Sequence, residues 1–360
     1  MTTAPSGLAP GLSPPDLAAA YRFWHPTVAT EGLLQGLRDL GIAEGAAMAI
    51  GVAGPRHTGF TLDPGTARGL AALDLRAGAV RVELPPGPVT GHVDDRHRTR
   101  VADLAAGRSH LIRPPGDLCP EARSGTSIAL LHLRVPLTGG DTGRALDTLR
   151  RVNVQRPGAQ PVLFFPCVDV SALSTDGTCL RWEEGPEYWR VLRRVLAAEP
   201  RPDGPPIPPG AGRWTREARD AMLAEAYAGT RPAWPGRRWE RVEPADTPGL
   251  HCLTARDSAG RLLDGGANYR LGAPPPVPEW SVTAYDRRTR SQVRTDQDRA
   301  ALRSLAEPVP AGAELFFGPA PPMEYADSRW VKTVPGEGWF AHLRVHGAAG
   351  EWRPGDFERL

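Results

Sequence analysis

Lysine is nearly absent from this chain: Lys332 is the only one among 43 Lys and Arg residues in a sequence of 360. Arginine in place of lysine, with heavy Ala, Pro and Gly usage, is the pattern a GC-rich genome imposes, so arginine richness alone does not mark a binding surface. The arginines are interspersed with acids and the net charge is only +2. No basic stripe forms, and neither nucleic acid nor an anionic membrane is expected as a partner. Cysteine is scarce too. Cys119, Cys167, Cys179 and Cys252 are widely spaced with no C-x-x-C pair, which removes zinc ribbons and dithiol redox chemistry and leaves free thiols. Long apolar runs are lacking, and the opening MTTAPSGLAPGLSPPDLAAAYRFWHP has neither the basic start nor the apolar stretch of a secretion signal. A cytoplasmic protein without a membrane span is the expectation. A P-loop, G-x-S-x-G, H-E-x-x-H, coiled-coil heptads and internal repeats are also missing, so several large enzyme classes lose their signature.

Glycine and proline are abundant, 40 and 39 residues, and together exceed a fifth of the chain. That composition suits short strands joined by many turns, and the length suits two domains. Residues 1–45 read as a flexible leader followed by one or two helices, with Leu33, Leu34, Leu37 and Leu40 at helical spacing. Residues 46–160 read as a β-sandwich: Val80, Val82 and Leu84 alternate with Arg81 and Glu83, SIALLHLRVPL is apolar enough for a strand buried on both faces, and Asp141 or Thr142 caps a short closing helix. Residues 161–245 read as a helical connector, with one helix in GPEYWRVLRRVLAAEP and another in WTREARDAMLAEAYAG. Residues 246–360 return to strand and turn, with a hairpin turn at Asp257 to Gly260. The fold class is therefore mainly β, two β-sandwich or jelly-roll-like domains joined by helices.

The C-terminal part carries a specific succession of motifs: LLDGGANYRLG, EWSVTAYDRRTRSQVRTD, ELFFGPAPP and SRWVKTVPGEGWFAHLRVHG. These resemble the domain of unknown function 1214, whose members show D-G-x-x-Y-R-L, W-S-v-t-x-Y-D-x-x-T-R-S, y-F-G-P and N-W-x-x-T-v-P-G-k-G-W-F-x-x-L-R-l-Y-G-P. Upstream, GLAALDLRAGAVRVELPPGPVTGHVDDRHRTR and SHLIRPPG are similar to the companion domain of unknown function 1254, with its L-D-L, V-P-P, V-D-D and L-P-P-G blocks. The resemblance spans about residues 46–360 and implies a two-domain β-rich protein with helices between the halves. It assigns no reaction. Arg96 and His97 stand where the family carries an aromatic after V-D-D, Arg329 replaces an asparagine, and His346 replaces a tyrosine.

Three groups of residues could carry chemistry. HVDDRH places His92, Asp94, Asp95 and His97 within six residues, the donor types of a hard or borderline metal site. On a strand, His92 and Asp94 share one face and Asp95 and His97 the other, so the four converge only if a turn intervenes; otherwise this is a solvated turn. No cofactor is expected, a divalent metal at this cluster being the exception the residues allow. The closing stretch reads as a hairpin, with Trp330, Lys332 and Val334 on one face of its first strand. On its second strand Phe340, His342, Arg344 and His346 oppose Trp339, Ala341, Leu343 and Val345. Two imidazoles and a guanidinium on one face could perform acid-base work or hold an anionic group, and a desolvated Lys332 could act as a base or nucleophile. Tyr285, in the W-S-v-t-x-Y-D block, could donate a phenolic proton in a cleft between domains. The bland alternatives are a snorkelling lysine and a turn capped by Asp286.

The expected function is that of an enzyme acting on a small, partly apolar metabolite by acid-base assisted hydrolysis, isomerisation, elimination or cyclisation, of the kind found in specialised metabolism. The rival expectations are a non-catalytic sandwich that binds a small molecule or glycan, and a structural homo-oligomer.

Overall fold

The computed structural model describes residues 14–42, 44–45, 47–55, 62–156, 163–166, 186–207, 239–241, 249–274, 277, 279–287, 291–306, 309–310, 312–322, 329–346 and 353–360. Period-two alternation builds the N-terminal half from β1 (Ala47–Val52), β2 (Thr66–Asp74), β3 (Val80–Glu83), β4 (Thr90–Asp95), β5 (Arg100–Leu104), β6 (Ser109–Ile112), β7 (Ile128–Pro136), β8 (Asn153–Gln155) and β9 (Leu163–Pro166). A six-stranded sheet in the order β5-β4-β7-β2-β1-β9 faces a three-stranded sheet, β6-β3-β8. Val80, Val82, Ile112 and Val154 of the small sheet meet Met48, Ile50, Leu131 and Leu133 of the large one, and Ala145 and Leu149 of helix α2 (Thr142–Arg150) close the core. Asp141 caps α2, its carboxylate accepting the Arg144 N–H.

The C-terminal half repeats the plan. Strands β10 (Glu240–Arg241), β11 (Leu250–Thr254), β12 (Tyr269–Gly272), β13 (Glu279–Asp286), β14 (Ala301–Arg303), β15 (Glu314–Gly318), β16 (Trp330–Lys332), β17 (Trp339–His346) and β18 (Glu358–Arg359) form two sheets, β10-β11-β17-β13-β14 and β16-β15-β12-β18. Their shared core holds Trp280, Val282, Leu343 and Val345 from one sheet and Tyr269, Leu271, Leu315 and Phe317 from the other. The protein is thus mostly β, with sandwiched sheets in each half and three α-helices among the described residues.

Two expectations change. Residues 330–346 are not a hairpin: β16 pairs parallel with β15, while β17 pairs with β11 and β13 in the opposite sheet. Val331 and Trp339 lie in one core, so these strands face each other across the sandwich rather than edge to edge. The turn that carries the chain over closes with the Glu337 N–H on the Val334 carbonyl and puts Gly336 at φ +83, where a side chain would be strained. Secondly, β9 lies inside the stretch read as connector yet pairs parallel with β1 in the N-terminal sheet.

The leading segment is one helix, α1 (Pro14–Asp39), running through Pro26. Its first half packs Leu17, Tyr21, Trp24 and Val28 against Tyr188, Trp189, Leu192 and Val195 of α3 (Pro186–Ala198). Leu33, Leu34 and Leu37 of its second half cover Ala49, Ala72 and Leu130 on the outer face of the six-stranded sheet. The turn after α3 fits under this pair only because Gly204 lacks a side chain: a Cβ there would run into the Trp24 ring, whose Nε1 donates to the Pro205 carbonyl at 3.0 Å. The helix read in 214–229 falls outside the described residues. The halves touch where Tyr285 Oη donates to the Leu62 carbonyl at 2.8 Å and Arg303 donates to the Pro64 carbonyl at 2.8 Å.

Candidate functional site

Strand β17 sorts its side chains as its alternation requires. Trp339, Ala341, Leu343 and Val345 enter the C-terminal core, which leaves Phe340, His342 and Arg344 on the other face of the sheet. Register then assembles their neighbours. Thr283 lies opposite His342, Ser281 opposite Arg344 and Tyr285 opposite Phe340 on β13, while His251 on β11 lies opposite Arg344. This second face is not solvated: His251 is 2% exposed, His342 6% and Arg344 4%. Burying two imidazoles and a guanidinium is costly unless partners repay the lost hydration.

The partners form a connected layer. His251 Nδ1 lies 3.4 Å from His342 Nε2. Arg344 reaches the Thr283 hydroxyl at 3.5 Å, and its guanidinium carbon sits 5.7 Å from the centre of the Tyr285 ring. That ring stacks on Phe340, and the Leu62 carbonyl accepts from both Tyr285 Oη and Gln292 Nε2, at 2.8 and 3.0 Å. The neighbouring Asp63 from the N-terminal half accepts the Gly65 N–H at 2.9 Å, and its charge contributes to holding Arg344 protonated. Burial, reinforced by Arg344 and His251, pushes His342 well below the usual histidine range, so its ring is neutral at neutral pH. Burial raises the Tyr285 phenol, which remains a proton donor. His342 Nδ1 finds no hydrogen-bond partner among the described residues.

The structure therefore gathers His342, Arg344 and Tyr285, and leaves Lys332 elsewhere. Lys332 is in the four-stranded sheet, with its Nζ 2.6 Å from the mostly exposed Asp296 carboxylate. His346 ends β17 opposite Glu279, and its side chain is outside the described residues. In the HVDDRH group, a turn does follow the strand, but it separates the four. Asp95 accepts the backbone N–H groups of His97 and Thr99, each at 2.8 Å. His97 bridges the Thr27 hydroxyl on α1, 3.1 Å away, and the Glu199 carbonyl, 3.2 Å away. His92 and Asp94 instead meet His132 of β7. Sequence reasoning missed His251, Thr283, Asp63 and His132. The first two were accessible, because LHCLT and EWSVTAYD alternate; Asp63 and His132 reach their places only through long-range pairing.

Comparison with known proteins bears on the fold. Residues 249–350, which contain all of β11 to β17, match the family described as "Protein of unknown function (DUF1214)". The VPA0106 protein from Vibrio parahaemolyticus has a similar structure, with a TM-score of 0.52 at 16% identity over 97% of this chain and 100% of that one. A putative uncharacterized protein from Burkholderia cenocepacia gives a TM-score of 0.48 at 12% identity, over 98% of this chain and 91% of that one. The first likeness shows a shared fold. No helix among the described residues is long and apolar enough to cross a membrane.

Proposed function

We propose that the buried layer around His342 and Arg344 is an active site, and that the protein is a cytoplasmic enzyme acting by acid-base chemistry on a small, partly apolar metabolite with an anionic group. The reading extends to the N-terminal half, which on its L-D-L, V-D-D and R-P-P-G blocks is a relative of the domain of unknown function 1254. The observation that carries the proposal is the state of His342: neutral, deeply buried, linked to a second imidazole and leaving Nδ1 without a partner among the described residues.

The chemistry follows from the two tautomers. When His342 Nε2 donates to His251 Nδ1, the lone pair of His342 Nδ1 is open and the ring is a general base. In the reverse arrangement His251 donates, His342 Nδ1 carries the proton, and the ring is a general acid. Arg344 supplies a fixed positive charge for a carboxylate or enolate, worth more here than in water because the layer is dry. Phe340 and the Tyr285 ring supply apolar surface. Isomerisation, elimination, hydrolysis and cyclisation all need a base, an acid and an anion holder, and none needs a nucleotide.

The test uses phenylpyruvate, a small apolar 2-oxo acid, in D2O. Proton NMR should show exchange at carbon 3 faster than buffer alone, falling about a hundredfold or more in His342→Ala. Equal rates in the wild-type protein, the variant and buffer contradict the proposal. Binding without exchange would instead assign the layer to a non-catalytic small-molecule module.

A further inference from the structure

The outer face of the six-stranded sheet changes character along its length. One end is the apolar floor under α1, where Ala49, Ala72 and Leu130 lie. At the other end, register sets His92 of β4 opposite His132 of β7, and Asp94 follows His92 by two residues on the same strand face. A β-bulge between Val93 and Asp94 shifts the pairing with β5 at this point, the kind of irregularity that re-aims a side chain. His92 and Asp94 are each only 6% exposed.

The three side chains converge. His92 Nε2 lies 3.5 Å from Asp94 Oδ2, the His92 and His132 rings stack with centroids 4.8 Å apart, and one donor atom from each residue lies within 4.8 Å of the others. Two imidazole nitrogens and one carboxylate oxygen, fixed on two adjacent strands, are a donor set that first-row divalent ions accept with positions left open. A cationic group already rests on two of these donors. Arg98, in the turn after β4, places NH1 3.2 Å from His132 Nε2 and 3.8 Å from Asp94 Oδ2. A guanidinium only donates, so His132 Nε2 accepts, and its lone pair points at the place a metal would take. The other Asp94 oxygen, Oδ1, accepts from Arg100 Nε at 2.8 Å, an outer contact of the sort that orients a ligating carboxylate.

Arg98 is suited to leave. Its side chain is 24% exposed, and its backbone sits at φ +64, unusual for a residue with a side chain. We propose that His92, Asp94 and His132 form a binding site for a first-row divalent metal ion, and that the Arg98 guanidinium occupies it until the ion displaces it. Of the quartet HVDDRH offers, His92 and Asp94 serve the site; Asp95 and His97 do not. The inference is independent of the reading of His342 and Arg344, which lie in the other half.

The test is a titration of the chelator-stripped full chain with Co(II), read by its visible absorption bands. One equivalent should bind, His132→Gln, which removes a ligand, should weaken binding by more than the about 10- to 100-fold that loss of an outer partner costs, and Arg98→Gly should strengthen it about tenfold by removing the competing charge. Glycine accepts the φ of position 98, so this variant keeps the turn and decides the matter even where His132→Gln fails to fold. Absence of Co(II) bands at millimolar metal overturns the proposal, as does unchanged affinity in Arg98→Gly. So does a protein that binds inorganic phosphate here in place of Co(II), since the local arginines would then be serving an anion.

Discussion

Replacing Arg96 with methionine should cost this protein about 3 kcal/mol, a figure set by what its guanidinium touches. Arg96 donates from Nε to Glu31 Oε2 at 3.1 Å and from NH1 to Glu199 Oε2 at 3.1 Å, with NH2 also on Glu31. Glu31, on α1, is 2% exposed, and Glu199 follows α3. One guanidinium, its side chain 13% exposed, thereby ties the turn after β4 to α1 and to the end of α3. Removing one partner of a buried ion pair costs about 3–5 kcal/mol, because the charge left behind stays dehydrated. The lower end applies, since Glu31 keeps Arg38 at 3.2 Å and Arg194 at 3.5 Å, and Glu199 keeps the Ser127 N–H at 2.7 Å. Methionine preserves the stem, so the loss reports the charge. Urea unfolding should show the midpoint lowered by about 1 M if the m-value is about 3 kcal/mol/M. A loss below about 1 kcal/mol is what an exposed pair gives, and would show that water already solvates the network.

Three further outcomes follow from the same geometry. His97, His132 and His342 are all held below the usual histidine range, chiefly by burial. The unfolded chain takes up protons below about pH 6.5 while these rings in the fold take up fewer, so stability is full above that pH and falls on acidification, by about 1 kcal/mol per pH unit for each ring that stays neutral. A melting temperature flat from pH 7.5 to 5.5 would refute this. Tyr285→Phe should cost about 1 kcal/mol in the same urea assay, because Gln292 still donates to the Leu62 carbonyl; no change would mean the contact between the halves is not made in solution. Lys332→Met should leave stability within about 0.5 kcal/mol and the exchange of phenylpyruvate unchanged, since Lys332 faces an exposed carboxylate in the other sheet. A loss of exchange would return Lys332 to the site.

Local periodicity told much of this in advance, and distance in sequence hid the rest. The two faces of β17 were readable residue by residue, because alternation is a property of the strand itself. The partnership of His342 with His251 was not, since it depends on which of many strands β11 pairs with, 91 positions away. SIALLHLRVPL was readable as an inner strand, and β7 does lie between β4 and β2. Its apolar average concealed His132, which shares a face with the paired His92. Arg96 registered only as a departure from a motif, and His97 as a departure and a metal candidate; Glu31 and Thr27 on α1 and Glu199 just after α3, which answer them, are remote in the chain. The closing residues misled because a tight Pro-Gly turn between two strand patterns ordinarily makes a hairpin, whereas here it passes from one sheet of the sandwich to the other.

The most direct examination of the His342 and Arg344 layer is nitrogen NMR of histidine-labelled protein, with His342 assigned through His342→Gln. The His342 ring should stay neutral as the pH falls through 6.5, phenylpyruvate should shift its signals, and Arg344→Gln should raise its pKa by removing an adjacent positive charge. An ordinary titration near pH 6.5 that ignores both the ligand and the Arg344 substitution would contradict this.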